Sequence, residues 1–155
     1  MRSRIGTVGW ILRGAAAGAA GTTALDVVTY LDMAVRGRPA SSTPQRTVER
    51  MAETAHLSIP GDGERRAGRL EGLGALTGLV AGVGVGGLLG LGRAAGFRAG
   101  TLLTTATVLV STNGPMTVLG VTDPRTWSLI DWISDLVPHL AYAAVVTTTL
   151  DALDG

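Results

Sequence analysis

The sequence predicts an all-α protein: a four-helix transmembrane bundle with a glycine-zipper helix pair and a short amphipathic surface helix in the first loop. Three observations carry that expectation. Hydrophobic residues make up 46% of the chain, charged residues only 16%, and 23 residues are glycine, a profile suited to helices packed through small residues in lipid. Apolar stretches run over approximately 8–35, 72–92, 99–121 and 129–150, each long enough to cross most of a hydrocarbon core about 30 Å thick. Within the second stretch Gly74, Gly78, Gly82, Gly86 and Gly90 recur at every fourth residue. As a helix that ladder climbs about 24 Å. Glycine costs about 1 kcal/mol against alanine in a water-exposed helix. In lipid the unpaired backbone is costlier still, so the helix holds and its groove admits another backbone.

The first stretch carries Gly14, Gly18, Thr22, Asp26 and Tyr30 at the same spacing. Antiparallel pairing with the ladder would set Gly14 near Gly90, Gly18 near Gly86 and Asp26 near Gly78. Each four-residue step drifts about 40° around the helix, which favours a right-handed crossing near −40°. Self-association through the ladder competes with this pairing. Arg2 and Arg4 imitate the start of a signal peptide, but no small-residue cleavage site precedes a polar stretch, so the first span is expected to remain.

Arg36-Gly37-Arg38-Pro39 ends that span. Thr43 and Pro44 then open a helix over about 44–57 as N-cap and first helical residue. Its Val48, Met51, Ala52 and Ala55 share one side, the pattern of a helix lying on a membrane or on the bundle. His56 near its end reads as a partner for the helix dipole. Pro60 to Gly63 makes a turn, and Glu64 to Glu71 leads charge into the ladder.

The third span has no charge, and its threonines suit hydrogen bonds to carbonyls or across helices. Asn113-Gly114-Pro115 predicts a kink or short break in its second half. Thr122-Asp123-Pro124 repeats the cap-and-proline start at Pro44, and the last span follows with Pro138 inside it. Trp127 and Trp132 suit a belt at headgroup level. The excess of arginine flanking the long loop places that loop in the cytoplasm of a multi-pass protein of the cell membrane.

Ionisable groups at membrane depth are costly and draw attention as functional. Asp26 lies deep in the first span. Asp131, Asp135 and His139 recur at four-residue steps on the last, with Tyr142 further along, and Asn113 could face the same interior. The first reading is structural: Asp26 bonding Thr22 or Tyr30, and His139 bonding Asp135 and Tyr142. The alternative is a proton or ion pathway through Asp26, Asn113, Asp135 and His139, with Tyr142 completing the candidate polar cluster. A net charge of +1 without a basic, aromatic-bearing face gives no reason to expect nucleic acid. The absence of cysteine excludes disulfides and thiolate chemistry. Mixed Asp and His donors make a weak metal set, and no nucleophile–base pair or phosphate loop is present. The ladder lacks the strand and acidic residue of a dinucleotide motif. No enzymatic activity, cofactor or metal is therefore expected; the expected partners are the lipid bilayer and a membrane protein or second copy of the chain.

The tail GPMTVLGVTDPRTWSLIDWISDLVPHLAY resembles the closing segment of the YagU-type family of bacterial inner-membrane proteins. The front part, GTTALDVVTYLDMAVRGRPASSTP, resembles small uncharacterised actinobacterial membrane proteins. The tail resemblance implies that Pro115, Asp123, Pro124, Trp127, Asp135 and His139 form one helix–turn–helix unit. It carries no established activity, and the Arg-rich first loop and unbroken ladder depart from that type.

Overall fold

The computed structural model describes residues 6–154, so the Arg2 and Arg4 reading lies outside the described residues. Among them every regular element is helical: α1 (Thr7–Arg36), α2 (Thr43–Thr54), α3 (Gly63–Ala94), α4 (Thr101–Val118), a 3₁₀ turn at Pro124–Thr126, and α5 (Leu129–Asp154). Two of these helices, α3 and α5, are long and apolar enough to cross a membrane.

Helix α1 packs chiefly on α3 and α5, α4 packs on α5 and α3, and α2 lies on α3. The core holds Trp10, Ala17, Val85, Val108, Tyr142, Ala143, Val146 and Leu150. Against an aliphatic core of ordinary size this is a thin set, and the gaps between helices are closed by approach of the backbones. A Cβ added at Gly14 would strike the Gly86 carbonyl and the Gly90 backbone, one at Gly18 the Gly82 carbonyl, and one at Gly86 the Gly14 carbonyl and Gly18 backbone. Each of the two α1 glycines therefore sits between two rungs of the ladder, half a step from one-to-one opposition.

The match does not extend along the whole ladder. Gly82 faces Thr22, nothing lies within 4 Å of the Gly78 position, and Gly74 packs on Pro44 and Gln45 of α2. The expected Asp26–Gly78 neighbourhood is thus absent, and the lower ladder belongs to α2. The rotation of about 40° per rung turns the groove away from α1 after two or three rungs.

Several boundaries differ from the sequence reading for identifiable reasons. α3 begins at Gly63, nine residues before Gly72, because Glu64 to Glu71 contains no proline and its Glu, Arg, Ala and Leu residues are good helix formers that carry the single Gly68. Arg66 ties this extension to Glu49 of α2 at 2.5 Å. α2 stops at Thr54 rather than residue 57. His56 takes a left-handed φ of 56°, and Leu57 N–H closes back to the Ala52 carbonyl at 2.8 Å, a Schellman-type ending. His56 therefore lies beyond the helix it was expected to finish. α4 runs through Asn113-Gly114-Pro115 without a break. It ends at Val118, where Gly120 turns left-handed (φ 66°) and Val121 N–H bonds the Met116 carbonyl at 2.9 Å. Pro138 likewise lies inside a continuous α5, which extends to Asp154.

The connection from α4 to α5 is fixed by its own side chains. Asp123 grips Arg125 through both carboxylate oxygens at 2.9 Å. That guanidinium holds the Asp123 carboxyl below the usual carboxylate range. Trp127 donates to Thr122 Oγ1 at 2.8 Å and meets Trp132 edge-on with ring centroids 5.0 Å apart.

Candidate functional site

Where α1 leaves α3, a cavity of about 450 Å³ opens. Its walls come from the second half of α1, the end of α4, the first half of α5, and the segment leading into α2. Leu25, Asn113, Pro138 and His139 line it toward the bundle interior; Arg36, Arg38, Ser41, Thr43, Trp127 and Asp131 line it toward the helix ends. No residue of α3 contributes, in keeping with its departure from α1 at Gly78. Arg46 of α2 donates to the Val121 carbonyl at 2.9 Å, holding α2 to the connection that frames this end.

Three of the sequence candidates converge here. Asn113 Nδ2 donates to Asp135 Oδ2 at 2.8 Å, joining α4 to α5. His139 Nδ1 lies 2.7 Å from the Asp135 backbone carbonyl, so Nδ1 carries a proton and donates. Its distance to Asp135 Oδ1 is 3.5 Å. His139 Nε2 lies 3.3 Å from Thr112 Oγ1, while that hydroxyl is also within 2.9 Å of the Val108 carbonyl. One hydroxyl proton thus has two claimants.

Two candidates stand apart. Tyr142 is fully buried, and its hydroxyl donates to the Gly82 carbonyl at 2.6 Å. It thereby joins α5 to α3 rather than to His139. Asp26 is partly buried and has no hydrogen-bond partner among the described residues; Thr22, its expected partner, donates to the Gly18 carbonyl at 3.0 Å. Of the proline candidates, Pro44 and Pro138 line the cavity. Pro124 starts the 3₁₀ turn. Pro115 is exposed within α4.

The rim of the cavity is ionic. Asp32 accepts from both Arg36 and Arg38 at 2.6 Å, and Arg36 also reaches Ser134 Oγ of α5 at 2.7 Å. On the α5 side Asp131 Oδ2 is held by the Ser128 hydroxyl at 2.6 Å and its backbone N–H at 2.9 Å. Two arginines with one carboxylate thus stand across from two carboxylates one helical turn apart.

The sequence reading missed a second ionic site at the opposite end. Arg93, with its side chain only 4% exposed, bonds Asp151 at 2.5 Å and Asp154 at 2.9 Å. Arg98 reaches Asp154 at 2.6 Å, and Arg13 donates to the Leu153 carbonyl at 2.6 Å. These contacts join the start of α1, the end of α3 and the end of α5. Acids in the last turn of a helix oppose its dipole, and that was the available signal that Asp151 and Asp154 need cations. Among the described residues no group of His, Asp and Glu is arranged to hold a metal ion.

Comparison of the chain with models of protein families, with curated proteins and with solved structures finds no match in any of the three.

Proposed function

We propose that the chain is a four-span protein of the cell membrane whose role is non-enzymatic: it packs within or against a larger membrane assembly, as a copy of itself or beside another protein. The observation that carries this reading is the shell of large apolar side chains left outside the helices. Val80 is 70% exposed, Leu102 82%, Val110 71% and Val118 88%. Such exposed side chains, carried by several helices, are the kind that lipid or a partner covers. α1 and α3 would form the glycine-zipper pair, with Gly14 and Gly18 seated among Gly82, Gly86 and Gly90. Their groove is then occupied within one chain, which leaves the apolar shell for partners. The charges of α1 other than Asp26 sit toward its ends, with Arg13 and Asp32 both partnered, so this helix can serve as a span.

A conduit reading has the Asn113–Asp135–His139–Thr112 chain in its favour. Beyond His139, however, Tyr142, Val108, Ala143 and Val146 are almost fully buried, and the Tyr142 hydroxyl is spent on Gly82.

The assembly reading is tested by cross-linking in the membrane. The chain contains no cysteine, so Val80→Cys and Val110→Cys can be introduced singly and treated with a bifunctional maleimide at native expression level. Adducts heavier than the 15.8 kDa chain, surviving into mild detergent as complexes of fixed mass, are expected. A chain that stays monomeric in both variants and in native mass spectrometry overturns the reading.

A further inference from the structure

The geometry points to the cavity between α1, α4 and α5 as a binding site for a compact zwitterion, an amine joined to a phosphate, of the kind carried by an ethanolamine phosphate headgroup. The ligand's two charges follow from the two walls. On the α1 side Arg36 and Arg38 share the single carboxylate Asp32, which leaves one unbalanced positive charge. On the α5 side Asp131 and Asp135 line the same cavity. Asp131 commits only Oδ2 to protein donors, the Ser128 hydroxyl and N–H. Asp135 Oδ2 takes the neutral Asn113 amide, and its Oδ1 is approached only by His139 Nδ1 at 3.5 Å. Neither acid forms a close ion pair with an arginine among the described residues, although Arg36 faces Asp131 across the cavity.

The poles are close. Arg36 Nη2 touches Ser134 Oγ at 2.7 Å, and Ser134 is the residue before Asp135. A ligand spanning both must therefore be short, with its charges separated by no more than about one helical turn, ~5.4 Å. A phosphate has acceptors for a planar guanidinium fork. A primary ammonium has three donors for the free oxygens of Asp131 and Asp135. The cavity volume of about 450 Å³ falls in the range of small-molecule sites, and Leu25, Met116 and Ile130 on its walls suit the methylenes beside a headgroup. A simple anion would meet the two acids, and a simple cation would meet the arginines. Only a ligand bearing both signs presents an opposite charge to each wall.

The proposal concerns one chain and holds or fails independently of the assembly role. It is tested on the purified full chain in dodecyl maltoside by titration with O-phosphoethanolamine, read by calorimetry and by fluorescence of the cavity-lining Trp127. Saturable binding is expected, at least tenfold tighter than that of ethanolamine or inorganic phosphate. Asp135→Asn, which keeps an acceptor for Asn113, and Arg38→Gln, in the loop outside the helices, should each weaken it at least tenfold. In a second arm the chain is extracted from phosphatidylcholine vesicles containing phosphatidylethanolamine, and the retained lipid is identified by native mass spectrometry. Binding of free phosphoethanolamine identifies a soluble headgroup as sufficient. Retention of phosphatidylethanolamine alone, abolished in both variants, identifies the lipid as the source. Absence of both, equal binding of the single-charge probes, or variants that bind like the parent overturns the proposal.

Discussion

A carboxylate in the last turn of a helix faces the negative end of the helix dipole, so Asp151 and Asp154 would weaken α5 unless cations answered them. Arg93 supplies the answer from a buried position, and Arg98 supports Asp154 from outside. The two sides of this cluster are not equivalent. Arg93→Ala leaves Asp154 with Arg98 and leaves Asp151, 63% exposed, in water. Its cost should be that of a lost hydrogen-bonded charge pair, about 1–3 kcal/mol. The double change Asp151→Asn and Asp154→Asn strands a guanidinium that is 4% exposed, and should cost about 3–5 kcal/mol. Unfolding in detergent, followed by circular dichroism, checks the order of the two variants; equal costs would show that burial of Arg93 does not govern the cluster. At this scale the sequence disclosed what lies on one helix. Asp135 and His139, one turn apart on α5, were legible; Asn113 drew attention through an expected break that the continuous α4 does not make. Arg93 was not, because its partners lie about sixty residues away and no local pattern links them. Asp26 was misread for a related reason: the expected partner Thr22 serves its own helix, bonding Gly18, as threonines in helices readily do.

The same distinction holds for whole elements. That residues 72–92 form a helix, and that its glycines admit a neighbouring backbone, follows from a period visible in the chain; the extension back to Gly63 does not. Which rungs are used does not, because it depends on the crossing of two rods and on the half-step offset that lets carbonyls pass one another. The observed contacts divide the ladder sharply. A methyl group at Gly86 would collide with the Gly14 carbonyl and the Gly18 backbone, whereas Gly78 has open space around it. Gly86→Ala should therefore destabilise the chain by about 1–3 kcal/mol, the usual cost of overpacking, and more if the helices are driven apart. Gly78→Ala should be neutral, or stabilising by up to about 1 kcal/mol through helix propensity. Thermal denaturation of the two variants side by side decides the matter; a Gly78 variant as damaging as the Gly86 variant would mean that the whole ladder is an interface. Pro44 and Pro124 open helical elements as read, but no break appears at the internal prolines. Pro115 and Pro138 both sit inside continuous helices, because packing and neighbouring side chains can offset the one backbone bond each removes.

For the molecule as a whole, the ionic groups define two ends. Asp32, Arg36, Arg38, Asp131 and Ser134 gather at one, and Arg13, Arg93, Arg98 and Asp154 at the other. Between them lie Thr-rich contacts, such as Thr101 with Thr147 at 3.1 Å, and the packed interior. This distribution supports the proposed four antiparallel spans, since charge at the centre of a bilayer costs several kcal/mol and charge at its surfaces costs little. It makes a topological prediction that does not depend on any ligand or partner. In the cysteine-free chain, single cysteines replace Ser58 and Thr126, both exposed at the end bearing α2, and Ala95 and Ala152, both exposed at the other. An impermeant maleimide added to intact cells should label Ala95→Cys and Ala152→Cys and spare Ser58→Cys and Thr126→Cys, which react only after the membrane is opened. The reverse pattern would agree with the proposed four spans and invert the arginine-based orientation. Labelling of Ser58→Cys and Thr126→Cys from different faces would break the bundle reading itself, because Arg46 joins α2 directly to the connection that contains Thr126 through the Val121 carbonyl.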